Sequence, residues 1–177
     1  MRLEVRRDTQ RIVLWPESAI PDFLEDGYPE AYYYEATAEG DPAYARRRIG
    51  AMIGPRSTLL TGVVNLNFAR RADGTPKLVS TRNSVMGLDG AGRIVAGYDK
   101  AHLVPYGEYL PMRPILSAIG LSRLAPGDID FDAGPGPRSI ALPFGWGKVG
   151  FQLCYEIIFS GEVVDRHDRP DFLFNPS

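Results

Sequence analysis

The stretch Gly150-Phe151-Gln152-Leu153-Cys154-Tyr155-Glu156-Ile157-Ile158-Phe159 contains the only cysteine of this chain. An apolar run from Lys148 to Cys154 predicts a strand that delivers the thiol at its end, and the carboxylate of Glu156 follows two residues later. One cysteine forms neither an internal disulfide nor a multi-cysteine metal site, which leaves a packed thiol or a nucleophile. Burial is the default for an isolated cysteine. The surroundings of Glu17 and Lys100 turn that default around.

Arg11-Ile12-Val13-Leu14-Trp15 is a second β-rich run, ended by Pro16, so Glu17 is expected just past the carboxyl end of a strand. Open α/β sheets place ligand-handling residues at such ends. Lys100 lies in Tyr98-Asp99-Lys100-Ala101-His102-Leu103-Val104-Pro105-Tyr106-Gly107-Glu108-Tyr109-Leu110-Pro111, directly after a strand predicted from Arg93 to Tyr98. A cysteine attacks as thiolate and needs help to ionise. A carboxylate takes its proton as general base. An ammonium group stabilises first the thiolate and then the oxyanion of a tetrahedral intermediate. Glu17, Lys100 and Cys154 together make an acyl-transfer site that needs neither metal nor cofactor.

Between these segments the elements alternate. Helical composition runs from Glu30 to Ile53, broken near Gly40-Asp41-Pro42, where Asp41 is placed to cap a helix with Pro42 in its first turn. Strands are predicted at Thr58 to Asn65, Leu78 to Leu88, Ser139 to Pro143 and Phe172 to Phe174, with Asp89-Gly90-Ala91-Gly92 as a hairpin turn. Ile115 to Ile119 and Glu162 to His167 read as short helices, and Ala125 to Arg138 as a loop. The alternation predicts a layered α/β fold with a mixed sheet.

Composition narrows the function. A net charge of −2 gives no electrostatic case for nucleic acid. Met1-Arg2-Leu3-Glu4-Val5-Arg6-Arg7-Asp8 is charged where a signal peptide needs an apolar core, and charges interrupt every apolar stretch before the roughly 20 residues of a membrane span. Neither His102 nor His167 has a partner at metal-ligand spacing. His102 raises the idea of a Cys–His dyad, but Lys100 has the better context. Trp15 and Trp146 read as packing residues. The ending on Phe172-Leu173-Phe174-Asn175-Pro176-Ser177, a buried strand entering a loop, is expected of a piece cut from a longer chain.

The three segments resemble the nitrilase superfamily, whose signature is a Glu–Lys–Cys triad in that chain order, here with 83 residues from Glu17 to Lys100 and 54 from Lys100 to Cys154. Within it, Trp15-Pro16-Glu17-Ser18-Ala19, the Lys100 segment and Cys154-Tyr155-Glu156-Ile157-Ile158-Phe159 look like the bacterial apolipoprotein N-acyltransferase branch. Soluble amidases of the superfamily more often follow the nucleophile with an aromatic residue and Asp, where this chain has Tyr155 and Glu156.

The resemblance implies an α/β fold, the nitrilase-type α-β-β-α sandwich, as a partial carbon–nitrogen hydrolase domain over residues 1–177. It would be incomplete at both ends, with the membrane-spanning region of the branch outside it. It makes Glu17 the general base, Lys100 the oxyanion-stabilising lysine and Cys154 the nucleophile. Glu108 would hold Lys100 in register, Tyr155 and Glu156 would support the nucleophile, and Asn83 matches an asparagine in the strand before the lysine hairpin. The implied acyl donor is a phospholipid, and the acceptor is the amine of a lipoprotein's diacylglyceryl-modified N-terminal cysteine. No cofactor, metal or nucleic acid is implied. Membrane contact would come through other regions of the whole protein, at the bacterial inner membrane with the catalytic domain on its periplasmic side. The alternatives are a soluble amidohydrolase of the same superfamily, with water as acceptor, and a catalytically inactive interaction module.

Overall fold

A computed structural model describes residues 9–105, 107–109, 129–159, 161–162 and 164–177. In chain order the elements are β1 (Arg11–Leu14), α1 (Glu30–Ala36), α2 (Pro42–Ile53), β2 (Ser57–Arg70), β3 (Pro76–Asp89), β4 (Ile94–Asp99), β5 (Ser139–Ala141), β6 (Lys148–Phe151) and β7 (Phe172–Phe174). Short 3-10 turns occupy Ala38–Gly40, Pro143–Gly145 and Cys154–Ile158.

These elements make two sheets, ordered β1-β2-β3-β4 and β5-β6-β7. β1 pairs parallel with β2, and the rest of the first sheet is antiparallel. In the second sheet β6 runs antiparallel to β5 and parallel to β7. Adjacent residues of a strand point to opposite faces. Leu59 of β2 therefore packs with Ala45, Ile49 and Ile53 of α2, while Leu60 packs with Val149, Phe151 and Phe174 of the second sheet. Covering on both faces explains why β2 carries apolar residues at adjacent positions, in Leu59-Leu60 and Val63-Val64, rather than in strict alternation. Among the described residues the layers run helix, sheet, sheet, in the nitrilase-type order, with Tyr32 of α1 packing on Phe68 of β2 and Tyr33 buried.

The predicted break between the two helices is where it was expected. Asp41 accepts a hydrogen bond from Ala43 N at 2.8 Å and caps α2, with Pro42 in the first turn. β2 and β3 are each 14 residues, longer than their apolar parts. Their far ends pair with each other from Phe68–Leu78 to Arg70–Pro76, with Ala69, Arg70, Pro76 and Lys77 exposed and Phe68 packed against Tyr28 and Tyr32. The strand predicted from Leu78 to Leu88 matches β3 to within two residues, whereas β2 runs five residues past the predicted end at Asn65, into a stretch without strict alternation.

The helix expected from Glu162 to His167 is absent from the described residues there. Asp165 Oδ1 accepts from His167 N at 2.8 Å and Asp168 N at 3.2 Å, and Arg166 turns back to the Gly161 carbonyl. These side-chain bonds offer the backbone an alternative to helix, and Pro170 follows. His167 is exposed, as expected. Ile115 to Ile119 lies outside the described residues. Trp15 packs against the helix-side core and Trp146 against the inter-sheet core. No described helix is long and apolar enough to cross a membrane.

Candidate active site

Glu17 leaves the end of β1. The parallel ladder continues past the strand, with Trp15 N donating to Leu60 O at 2.9 Å and Gly62 N to Pro16 O at 3.2 Å. This brings the backbone of Glu17 against β2 at Gly62, where an added Cβ would stand 2.6 Å from Glu17 Cα. Only glycine permits that approach.

Asn83, near the middle of β3, faces the same region. Its Nδ2 donates to Glu17 Oε1 at 2.7 Å and to Glu108 Oε1 at 3.0 Å. Two carboxylates are thus held by a single amide nitrogen. Lys100 follows β4, anchored by its own N–H to Asn83 O at 2.8 Å, and is 2% exposed. Its Nζ lies 3.0 Å from Glu108 Oε1 and 5.2 Å from the centre of the Tyr155 ring. Burying an ammonium group is costly unless it is paired, and Glu108 supplies the pair. Glu108 is oriented in turn by Val104 N, which donates to Oε2 at 2.8 Å.

Cys154 begins the turn after β6 and has a φ of +54°. Tyr155 carries the turn to the lysine segment, its hydroxyl donating to Leu103 O at 2.8 Å. Burial raises the Tyr155 phenol above its ordinary range, and Glu108 and Glu156 add to the shift. Glu156 is fully buried. Its Oε1 accepts from Ala101 N at 2.8 Å and His102 N at 2.9 Å, its Oε2 accepts from Leu153 N at 2.8 Å, and the Tyr98 hydroxyl lies 3.1 Å from Oε1. This carboxylate ties the backbone beside Lys100 to the backbone beside Cys154. Burial and then the nearby Glu156 charge push the Tyr98 phenol well above its ordinary range.

The structure therefore gathers Glu17, Asn83, Glu108 and Lys100 into one connected cluster, and Tyr155 and Glu156 join the Cys154 turn to it. The His102 ring stacks on Phe159 with centroids 4.4 Å apart, its Nε2 is 2.6 Å from Glu162 Oε2 and its Nδ1 is 3.6 Å from Glu156 Oε1. Beside Tyr155 opens a cavity of about 690 Å³ whose walls include Leu103, Pro105, Tyr109, Phe131 and Phe159. Among the described residues no group of three or more His, Cys, Asp or Glu side chains is placed to hold a metal ion.

Sequence reasoning missed Gly62, Gly134 and Tyr98. A glycine inside a strand of β-branched residues is a signal of close backbone approach, so Gly62 was findable. Gly134 was read only as part of the loop from Ala125 to Arg138. It donates to Lys100 O at 2.7 Å, and a Cβ there would stand 2.1 Å from Asp99 O. Nothing in the sequence marks Tyr98 as the partner of a carboxylate 58 residues away.

The sequence model of the carbon–nitrogen hydrolase family matches residues 3–175. The chain belongs to the carbon–nitrogen hydrolase family. It is similar to apolipoprotein N-acyltransferases: 34% identical over 164 residues to that of Bradyrhizobium diazoefficiens, and 34% over 164 residues to that of Rhizobium etli, in each case covering 93% of this chain. The chain spans 27% of the length of those relatives. Among solved structures, a glutamine-dependent NAD+ synthetase from Acinetobacter baumannii is similar at 17% identity and a TM-score of 0.49, over 94% of this chain and 26% of that one. A mutant of the Nesterenkonia AN1 amidase from the nitrilase superfamily is similar at 18% identity and a TM-score of 0.43, over 84% and 44%.

Proposed function

We propose that this chain carries the catalytic part of an N-acyltransferase with Glu17, Lys100 and Cys154 as its triad. The observation that carries the reading is Lys100, almost wholly buried, ion-paired to Glu108 and lying beside the aromatic ring next to Cys154. A buried ammonium group beside the ring of Tyr155, the residue after Cys154, is suited to an oxyanion.

Glu17 takes the Cys154 proton, and the thiolate attacks the carbonyl carbon of a phospholipid acyl ester. Lys100 stabilises the resulting oxyanion. The C–O bond breaks, the lysophospholipid alkoxide takes the proton from Glu17, and an acyl thioester remains on Cys154. The amine of a diacylglyceryl-modified N-terminal cysteine then attacks the thioester. Glu17 accepts the amine proton, the C–S bond breaks, and the thiolate is reprotonated as the amide leaves. Asn83 and Glu108 hold the base and the lysine at fixed separation, while Tyr155 and Glu156 support the nucleophile turn. The cavity beside Tyr155 has an apolar side formed by Leu103, Pro105, Phe131 and Phe159, which offers room for a fatty acyl chain, and a polar side at His102, Asp130 and Asp132.

Similarity to apolipoprotein N-acyltransferases over 93% of the chain supports this reading over hydrolysis. Residues 1–177 then act as part of a nitrilase-like domain on the periplasmic side of the bacterial inner membrane, in a longer protein that meets the bilayer through other regions.

The test is intact mass of the full-length protein after incubation with phospholipid in detergent, beside Cys154→Ala. An acyl-sized mass gain that requires Cys154 and disappears on adding a lipopeptide amine is the expected result. Release of ammonia from small amides without such an adduct would assign a hydrolase. Neither activity would leave an interaction module.

A further inference from the structure

Cys154 has a Cβ and yet sits at φ +54°, a region that L-residues other than Asn and Asp rarely enter. A strained conformation of this kind persists only where its surroundings impose it. The imposing elements come from the segment after β7. β7 runs parallel to β6 and pairs Phe174 with Phe151. The ladder goes on one step, with Gln152 N donating to Phe174 O at 3.1 Å. The chain leaving β7 therefore travels beside the chain leaving β6 and meets the cysteine from both sides. Pro176 O accepts from Cys154 N at 2.9 Å, and Asn175 Nδ2 donates to Cys154 O at 3.1 Å.

The orientation of the Asn175 amide follows from chemistry. Turned over, its Oδ1 would face the Cys154 carbonyl oxygen, two acceptors with no proton between them. In the orientation present, Oδ1 is buried without a partner. An apolar side chain of similar size would avoid that unpaired acceptor, so the position uses the amide for its donor.

We infer that Asn175 is a positioning residue whose side-chain amide, together with the Pro176 carbonyl, holds Cys154 in its left-handed conformation and so aims the thiol at the acyl carbonyl. The inference rests on the reading of Cys154 as nucleophile. Asn175 acts through the cysteine backbone alone. Without its donor the turn relaxes toward the right-handed region, which rotates the Cα–Cβ bond and carries Sγ off line. Displacements on that scale cost about 100-fold in rate in well-oriented sites.

The experiment uses the full-length protein in detergent. Asn175→Asp keeps the shape and removes the donor, Asn175→Ala removes the side chain, and Asn175→His places a ring N–H near the position of the amide N–H. Three quantities are read: the rate of thioester formation on Cys154 by intact mass with a phospholipid of defined chain length, the KM for that phospholipid, and the thermal midpoint. The Asp and Ala variants are expected to form thioester about 10- to 100-fold more slowly at unchanged KM, with the His variant recovering part of the rate. Carbamidomethylation of Cys154 by iodoacetamide slows in parallel. Parent-like thioester formation in the Asp or Ala variant overturns the inference. Equal defects in all three variants, or loss of folding in all three, assign Asn175 a structural role only and overturn it as well. Cys154→Ala separates this from the underlying reading: acyl transfer that survives in Cys154→Ala sinks the nucleophile assignment itself, whereas its loss there beside parent-like Asn175 variants sinks only the role of Asn175.

Discussion

Asn83 reaches Glu17 across 66 residues of chain, its Nδ2 2.7 Å from the Glu17 carboxylate. The same nitrogen is 3.0 Å from Glu108. Two carboxylates brought this close repel each other unless a donor lies between them. Asn83→Leu is therefore expected to reduce thioester formation about 100-fold, by releasing Glu17 and Glu108 from their shared partner, while the apolar replacement preserves the strand. The rate of adduct formation and the circular-dichroism spectrum check the two halves of this statement.

Lys100 and Glu108 form a buried pair, with side chains 2% and 13% exposed. Removing only the lysine leaves a carboxylate without its cation. Lys100→Met should cost about 3–5 kcal/mol of stability and abolish activity. The double variant Lys100→Met with Glu108→Gln should recover most of that stability and none of the activity. Urea denaturation of both variants tests the separation, and a double variant no more stable than the single one would count against the pairing.

Gly62 admits the backbone of Glu17. A methyl group there would stand 2.6 Å from Glu17 Cα, closer than side-chain carbons approach backbone. Gly62→Ala should displace Glu17, cost about 1–3 kcal/mol and, with Glu17 as the proposed base, lower the acylation rate as well. Thermal melting beside the acylation rate measures both.

Tyr98 supplies a pH dependence. Burial, and then the charge and hydrogen bond of Glu156, raise its phenol above the ordinary value in the fold. A raised folded value means the protonated form is favoured on folding. The stability it supplies is fully present below about pH 10 and is lost as pH climbs from there toward the folded value. Tyr98→Phe should cost about 1–2 kcal/mol at neutral pH and flatten the loss between pH 8 and 11, as read from urea midpoints at the two values.

Much of this architecture was legible in advance. The apolar runs around Ile12, Leu60, Val85 and Val149 announced strands because covered strands must be apolar. Asp41 and Pro42 announced the start of α2 because cap chemistry is local. The last five residues of β2, Leu66 to Arg70, were not legible, because pairing with β3 and packing of Tyr28 and Tyr32 on Phe68 sustain them without a strict alternation in the sequence. The expected helix at Glu162 failed because Asp165 and Arg166 satisfy the nearby backbone with side chains, a competition that composition does not rank.

The same division runs through the candidate site. Sequence alone determined which residue types are present, in which order, and that Glu17 and Lys100 each follow a strand, since those facts depend on near neighbours. Only the tertiary structure decided that Asn83 bridges two carboxylates, that Glu156 ties the lysine segment to the cysteine turn, and that Asn175 and Pro176 grip Cys154 at positive φ. Those contacts join residues far apart in the chain, and it is sheet pairing and side-chain packing that bring them within bonding distance.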